Sequence, residues 1–288
     1  MQPRLLDVDP ADLPTAEDVA RYREHGWFVT GPIIPHDLLD RMRVLVEQHQ
    51  LRPVTDRLAP TIGMQDWMPE DGRGLRNNEF ITVQEPRFAE LTLMPVLGAI
   101  AARLARSTSI RLFDDQALAK PPGDADAFVG WHSDRAYWTN CTSPEMLTAW
   151  IPLQDSTAAN GTLMVVDGSH HWTQTEEWRR FHDRDLDRVR DAPVEPGTDA
   201  QVVDLLLTKG QVSFHHERLL HASRPNTSDA PRLAIAVHLQ PGDNEFRQTF
   251  TPDGQPVVLP ADRLCRRTPD GIPDYADPAV FPTLWSRA

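Results

Sequence analysis

Apolar and polar positions change rhythm along this chain. In the first hundred or so residues the apolar ones recur with a helical period. The segment TAEDVARYREHGWFVTG predicts a helix that stops at Gly26. Thr15 stands as its N-cap and Asp18 three places on, where Glu or Gln makes the better capping box. WFVT then predicts a short strand. PHDLLDRMRVLVEQHQ (35–50) predicts a second, amphipathic helix with Leu38, Leu39, Met42, Leu45 and Val46 on one face. FAELTLMPVLGAIAARLA (88–105) predicts a third. Residues 52–86 carry turn residues and isolated aromatics but no period, which predicts a long loop against a site.

Beyond residue 110 the pattern shortens to strands joined by turns rich in Pro, Gly, Asn and Asp. IRLFDDQALAK (110–120), MLTAWIPLQD (146–155), TLMVVDG (162–168), GQVSFHH (210–216) and RLAIAVHL (232–239) are the strand candidates. EEWRRFHDRDLDRVRDA (176–192) is charge-dense and predicts an exposed helical or irregular insertion. Helices early and strands late predict a mainly β fold with a helical flank, a double-stranded β-helix (jelly roll), not alternating βαβ. The expected organisation is one domain over residues 1–288. It has a helical part at about 15–105, a jelly-roll core at about 106–245 and a C-terminal extension at 246–288.

Composition narrows the function classes. Of 288 residues 40% are hydrophobic and 25% charged, enough for a sizeable core. A net charge of −13 argues against nucleic acid or an anionic membrane as partner, and leaves a small molecule. Cys141 and Cys265, the only two cysteines, form no zinc or disulfide pattern. With no signal-like or membrane-spanning apolar run, a cytoplasmic location is expected.

The candidate chemistry begins with GWHSDRAYW (130–138). In an extended segment His132 and Asp134 point to one face, whereas a helix splays them by about 200°. His25, His36, His49 and His182 fall on polar helix faces and read as solvated surface, and His170 and His171 as parts of a turn. HHERLLH (215–221) nearly matches a helical zinc-protease signature, but the spacing is one residue too long: His216 and His221 sit about 140° apart on a helix, which fails. From His221 the chain runs through a turn-rich loop to Arg232, where a hairpin brings the two residues to a shared cavity. Arg232, Ala234, Ala236 and His238 then share one strand face. Local spacing leaves an ordinary hairpin, with the arginine paired to an acid, equally open.

Taken together, WHSDRAYW, LTAWIPLQDSTAANGTLMVVDGSH and GQVSFHHERLLHASRPNTSDAPRLA resemble the phytanoyl-CoA dioxygenase family of Fe(II)- and 2-oxoglutarate-dependent oxygenases. The opening EDVARYREHGWFVTGPIIP fits too, and the matches keep the family's order over roughly residues 15–240. The loop 52–86 and the segment after 240 match only loosely. The resemblance implies His132, Asp134 and His221 as iron ligands, three positions of an octahedral ion being left for 2-oxoglutarate and O2. It implies Arg232 as a bidentate clamp on the far carboxylate of 2-oxoglutarate, with Ser223 donating to the same group. Trp150 and Gln116 fall where the family lines that pocket, though by residue type they are equally a core aromatic and a strand-surface amide. Lys120 reads as structural or as pocket rim.

Other residues keep two readings. Trp131, Tyr137 and Trp138 read as core or rim packing ahead of substrate contact, and Arg135 as a surface ion pair or a contact to an anionic substrate. Trp67, Asn77 and Asn78 are candidates for a lid. The implied activity is hydroxylation of an unactivated C–H bond with release of succinate and CO2. Desaturation or cyclisation at the same iron is the alternative. The presence of Asp134 speaks against halogenation, which needs a small residue there. A non-catalytic binding jelly roll and a hydrolytic zinc enzyme are the rivals from other classes, neither of which needs Arg232. Strong acidity and the lack of a basic run count against an acyl-CoA and favour a small metabolite.

Overall fold

In the computed structural model, which describes residues 8–53, 58, 60–173, 175, 178–191 and 200–287, two antiparallel sheets enclose a cavity. The larger holds β1 (Trp27–Val29), β2 (Arg76–Glu79), β3 (Ser109–Lys120), β5 (Leu147–Pro152), β8 (Ser213–His216), β10 (Arg232–Pro241) and β11 (Thr283–Ser286). Its order is β1-β8-β5-β10-β3-β11, with β2 also paired to β3. The smaller runs β4-β9-β6-β7, from Val129–His132, His221–Ser223, Met164–Val166 and Val202–Asp204. This is a jelly roll with a helical flank, as the patterning predicts.

Period-two alternation sorts the side chains of the large sheet. On β10, Leu233, Ile235, Val237 and Leu239 join a buried cluster with Leu38, Leu39, Met42, Leu45 and Val46 of the helix His36–Gln50. Arg232, Ala236 and His238, on the opposite face, line the cavity. All ten residues of β10 are therefore buried. The pattern slips where β10 meets β3, between His238 and Leu239. Leu112 faces the helices, but two places on Asp114 faces the cavity, because a bulge shifts the strand's phase.

The helix expected over 15–26 is present as Ala16–His25, with the full Thr15–Asp18 capping box and Gly26 at φ 82° closing it. The helix expected over 88–105 is instead broken into Ala89–Thr92 and Pro95–Leu104. Pro95 has no N–H to continue the earlier turn and starts a new helix. The irregular stretch 52–86 contains β2, and the C-terminal segment returns to pair β11 with β3. Tyr275, Val280 and Phe281 pack there against Phe113 and Trp138. Among the described residues no helix is long and apolar enough to cross a membrane.

Candidate functional site

His132 ends β4, His221 begins β9, and the two are register partners, so their rings lie 4.1 Å apart at the centroids. Asp134 does not ride on the same extended strand. The strand stops at His132, and Asp134 opens the single 3-10 turn Asp134–Ala136. Ser133 anchors that turn by accepting from the Ala136 N–H at 3.3 Å and donating to the Thr175 carbonyl at 2.7 Å. Asp134 Oδ1 comes to 3.5 Å from His221 Nε2 and 3.9 Å from His132 Nε2. One donor atom from each of the three buried residues falls within 4.8 Å of the others.

The surroundings fix what each ligand atom offers. His132 Nδ1 lies 2.9 Å from the Gly130 carbonyl, and His221 Nδ1 2.9 Å from that of Leu219. A carbonyl only accepts, so each Nδ1 carries its hydrogen and each Nε2 keeps a free lone pair. Burial lowers both pKa values, which keeps the rings neutral. For Asp134 burial opposes the charge, but His221, His215 and His238 outweigh it and hold the carboxyl well below its usual range. Its Oδ2 is occupied: Thr148 donates to it at 2.7 Å, and His215 Nε2 lies at 3.3 Å. Having given its one hydrogen to Asp134, Thr148 must accept from His238 Nδ1, 2.8 Å away. Oδ1 is thus left to a metal ion. Two neutral imidazoles and one carboxylate suit a divalent first-row metal.

Arg232 enters the same cavity from the opposite sheet. The expected hairpin is absent: β9 and β10 belong to different sheets, and the loop between them crosses the jelly roll. Arg232 is buried over the Trp150 ring, 5.5 Å from its centroid, and among the described residues its Nε and Nη1 have no hydrogen-bond partner. Burial pushes its pKa down to about 9, so it remains charged at neutral pH. A buried guanidinium with unmade bonds is costly, and a carboxylate satisfies it in fork geometry. Ser223 Oγ accepts from Lys120 Nζ at 2.6 Å, which leaves the hydroxyl hydrogen free to donate. Lys120 also donates to the carbonyls of Ser223 and Arg224, at 3.1 and 2.6 Å, and so ties β3 to the loop after β9. The arrangement therefore fits a metal ion together with a carboxylate-bearing chelator.

The cavity, about 630 Å³, is of small-molecule size. Trp150, Ser223 and Gln116 line it with His132, Asp134, His221 and Arg232. Tyr137 and Trp138 line it too, whereas Trp131 is buried behind β4 and donates to the Leu186 carbonyl at 2.7 Å. Arg135 lies neither on the surface nor on the cavity wall: it is buried 3.6 Å from Glu217 and donates to the Cys141 carbonyl. Of the lid candidates Asn77 reaches the cavity. Asn78 is tied to Asp66 and the Trp67 carbonyl, and Trp67 lies under Arg76.

The segment 176–192 is more than an exposed insertion, since Arg179, Phe181 and His182 line the cavity; its residues 176, 177 and 192 lie outside the described ones. His25 is half-buried and bonded to Asp167 at 2.8 Å, and His49 is buried against Phe88, so neither is free surface. His36 is exposed, and His182 is exposed at the cavity rim. His170 and His171 hold the Arg23 carbonyl from their turn. Sequence reasoning placed His238 on the face of Arg232 but missed Thr148, His215 and the bond from Thr148 to Asp134. The one signal in the sequence is an isolated polar residue on the inward face of an apolar strand, Thr148 in Leu147–Pro152.

A family model described as phytanoyl-CoA dioxygenase matches residues 22–234. The peroxisomal phytanoyl-CoA dioxygenase of Mus musculus is 23% identical over 236 residues, covering 80% of this chain and 69% of that protein. The 1-deoxypentalenic acid 11-beta-hydroxylase of Streptomyces exfoliatus is 31% identical over 148 residues, 48% of this chain and 49% of that protein. The chain thus spans about half the length of that hydroxylase. The crystal structure of SnoK, a non-heme alpha ketoglutarate dependent carbocyclase from nogalamycin biosynthesis, superposes with a TM-score of 0.68 at 24% identity. The match covers 95% of this chain and 97% of that one, and shows a shared fold.

Proposed function

Because the chain belongs to the phytanoyl-CoA dioxygenase family and is an iron- and 2-oxoglutarate-dependent oxygenase, we propose that it hydroxylates an unactivated C–H bond of a small metabolite. His132, Asp134 and His221 would hold the iron through Nε2, Oδ1 and Nε2. Arg232 would bind the distal carboxylate of 2-oxoglutarate, with Ser223 as a second donor. When bound, iron would let O2 act as the oxidant, with 2-oxoglutarate giving two electrons and leaving as succinate and CO2. The protein orients and shelters. Thr148 and His215 hold Asp134 in one rotamer, and Trp150 flanks the guanidinium. Tyr137, Trp138 and Phe181 give the cavity walls that keep out bulk water.

One observation carries this reading. A buried, unpartnered Arg232 stands in the same cavity as a His–Asp–His set whose lone pairs are already freed. A zinc hydrolase has no use for that arginine. The test is an anaerobic titration of Fe(II) into the apoprotein with 2-oxoglutarate, watching the visible iron-to-keto-acid charge-transfer band. The band should form in the parent, and Arg232→Ala should raise the 2-oxoglutarate concentration it needs by about tenfold or more, the loss of a charge-assisted pair. A folded parent protein that gives no band overturns the assignment. With a substrate in hand, hydroxylation requires one oxygen atom from isotopically labelled O2 in the product; loss of two hydrogens instead would mean desaturation.

A further inference from the structure

The part of the cavity wall built by β2 and β3 is acidic. Glu79 and Gln116 are register partners across these strands, and Asn77 alternates onto the same face as Glu79. The β3 bulge brings Asp114 to that face as well, and all four residues line the cavity. Asp114 accepts from the Phe80 N–H at 3.0 Å and the Gln116 amide at 3.4 Å; Glu79 accepts from the Gln65 N–H at 2.8 Å. These donors are neutral. Among the described residues no arginine, lysine or histidine pairs with either carboxyl. Independently, Asn77 is 7% exposed, and among the described residues its side-chain carbonyl oxygen has no hydrogen-bond partner. Three acceptors therefore share one wall, beside the rings of Phe80, Phe113 and Trp138.

We propose that Asn77, Glu79 and Asp114 form a subsite for a positively charged nitrogen, so that the substrates of this enzyme are small organic amines. The inference rests on the oxygenase reading and adds the substrate class to it. A protonated amine brings the charged hydrogen-bond donors this wall lacks, and aromatic faces favour a cation beside them. The cavity's own cations stand elsewhere: Arg232 lies over Trp150, and Arg179 lies over the Tyr137 ring, 4.6 Å from its centroid. Burial, with the charge of neighbouring carboxyls, pushes Glu79 up to about 7 and Asp114 well above its ordinary range. The pair thus keeps a proton until a cation displaces it. An acid or an acyl-CoA would find no cation to pair with on this wall.

The probes are benzylamine, benzyl alcohol and benzoate, which share a ring and differ in charge. Each is titrated calorimetrically into the anaerobic Fe(II)–2-oxoglutarate protein, with the charge-transfer band recorded first. Benzylamine should bind about tenfold more tightly than benzyl alcohol, and benzoate should be weakest. Glu79→Gln, Asp114→Asn and Asn77→Ala should each erase most of that preference while the band still forms at the same 2-oxoglutarate concentration. The comparison of probes on the unmodified protein stands even if a variant fails to fold. Alcohol or benzoate bound as tightly as the amine, no benzylamine binding at millimolar concentration, or variants that keep the full preference would overturn the subsite. An absent band would instead count against the oxygenase reading itself.

Discussion

At the scale of single residues, the site depends on which atoms are already engaged. Asp134 has two oxygens, and Thr148 and His215 claim one of them. The other is left facing the two imidazoles. Thr148→Val keeps the shape of the side chain and deletes that hold. Fe(II) affinity should fall about 10–100-fold, the usual cost of losing a group that orients a ligand. Equilibrium titration of the metal measures it, with circular dichroism to show an unchanged fold. An affinity equal to the parent's would mean that His215 alone suffices to orient the carboxylate. His238 would also lose its Nδ1 acceptor in this variant, so some loss of stability should accompany the change.

At the scale of elements, close backbone approach matters most where β4 meets the loop bearing Arg179 and Phe181. Gly130 donates to the Phe181 carbonyl at 2.8 Å. A β-carbon at residue 130 would stand 2.0 Å from the Arg180 carbonyl oxygen and 2.6 Å from that of Asp183. Backbone cannot yield as a flexible side chain does. Gly130→Ala should therefore push this loop off the strand and cost about 1–3 kcal/mol, as overpacking does. The cavity wall moves with the loop. Substrate affinity should drop more than 2-oxoglutarate affinity, because Arg232 and Ser223 stand on other strands. Urea unfolding and the two binding titrations separate these effects. The β3 bulge is the other such device, since it turns Asp114 toward the cavity instead of the helices.

At the scale of the molecule, buried titratable groups on the helical flank and at the cavity give stability opposing slopes with pH. Burial, with Arg52 nearby, lowers His49 from 6.5 to about 4. Its contribution is complete above pH 6.5 and is lost as the pH falls toward 4, because the unfolded chain takes up the proton first. Glu79 and Asp115 are raised mainly by burial, to about 7 and about 6. Their contributions are complete below the ordinary carboxyl range and are lost as the pH rises through those values. His49→Leu isolates the first effect. Between pH 7 and pH 4 the variant should lose roughly 2–3 kcal/mol less than the parent in urea unfolding. Equal losses would mean that His49 titrates normally.

Much of the molecule was legible along the chain, for reasons that are local. A capping box, a glycine stop and alternation on β10 are short-range patterns, and they yield the first helix and the cavity-facing set of Arg232, Ala236 and His238. The His132, Asp134, His221 and Arg232 set was legible only through the resemblance of the motifs around it, since local spacing leaves an ordinary hairpin equally open. What the chain alone did not determine depends on partners distant in sequence or on irregular backbone. Asp134 converges through a turn, not along a strand, and Arg232 arrives from the facing sheet. Arg135 finds Glu217 and His49 is buried against Phe88 only once the elements pack. Glu79 and Asp114 share a wall because β2 pairs with β3 and a bulge shifts the phase by one residue. Hydrophobic rhythm specifies which face is buried, whereas only the tertiary structure decides which buried polar groups meet there.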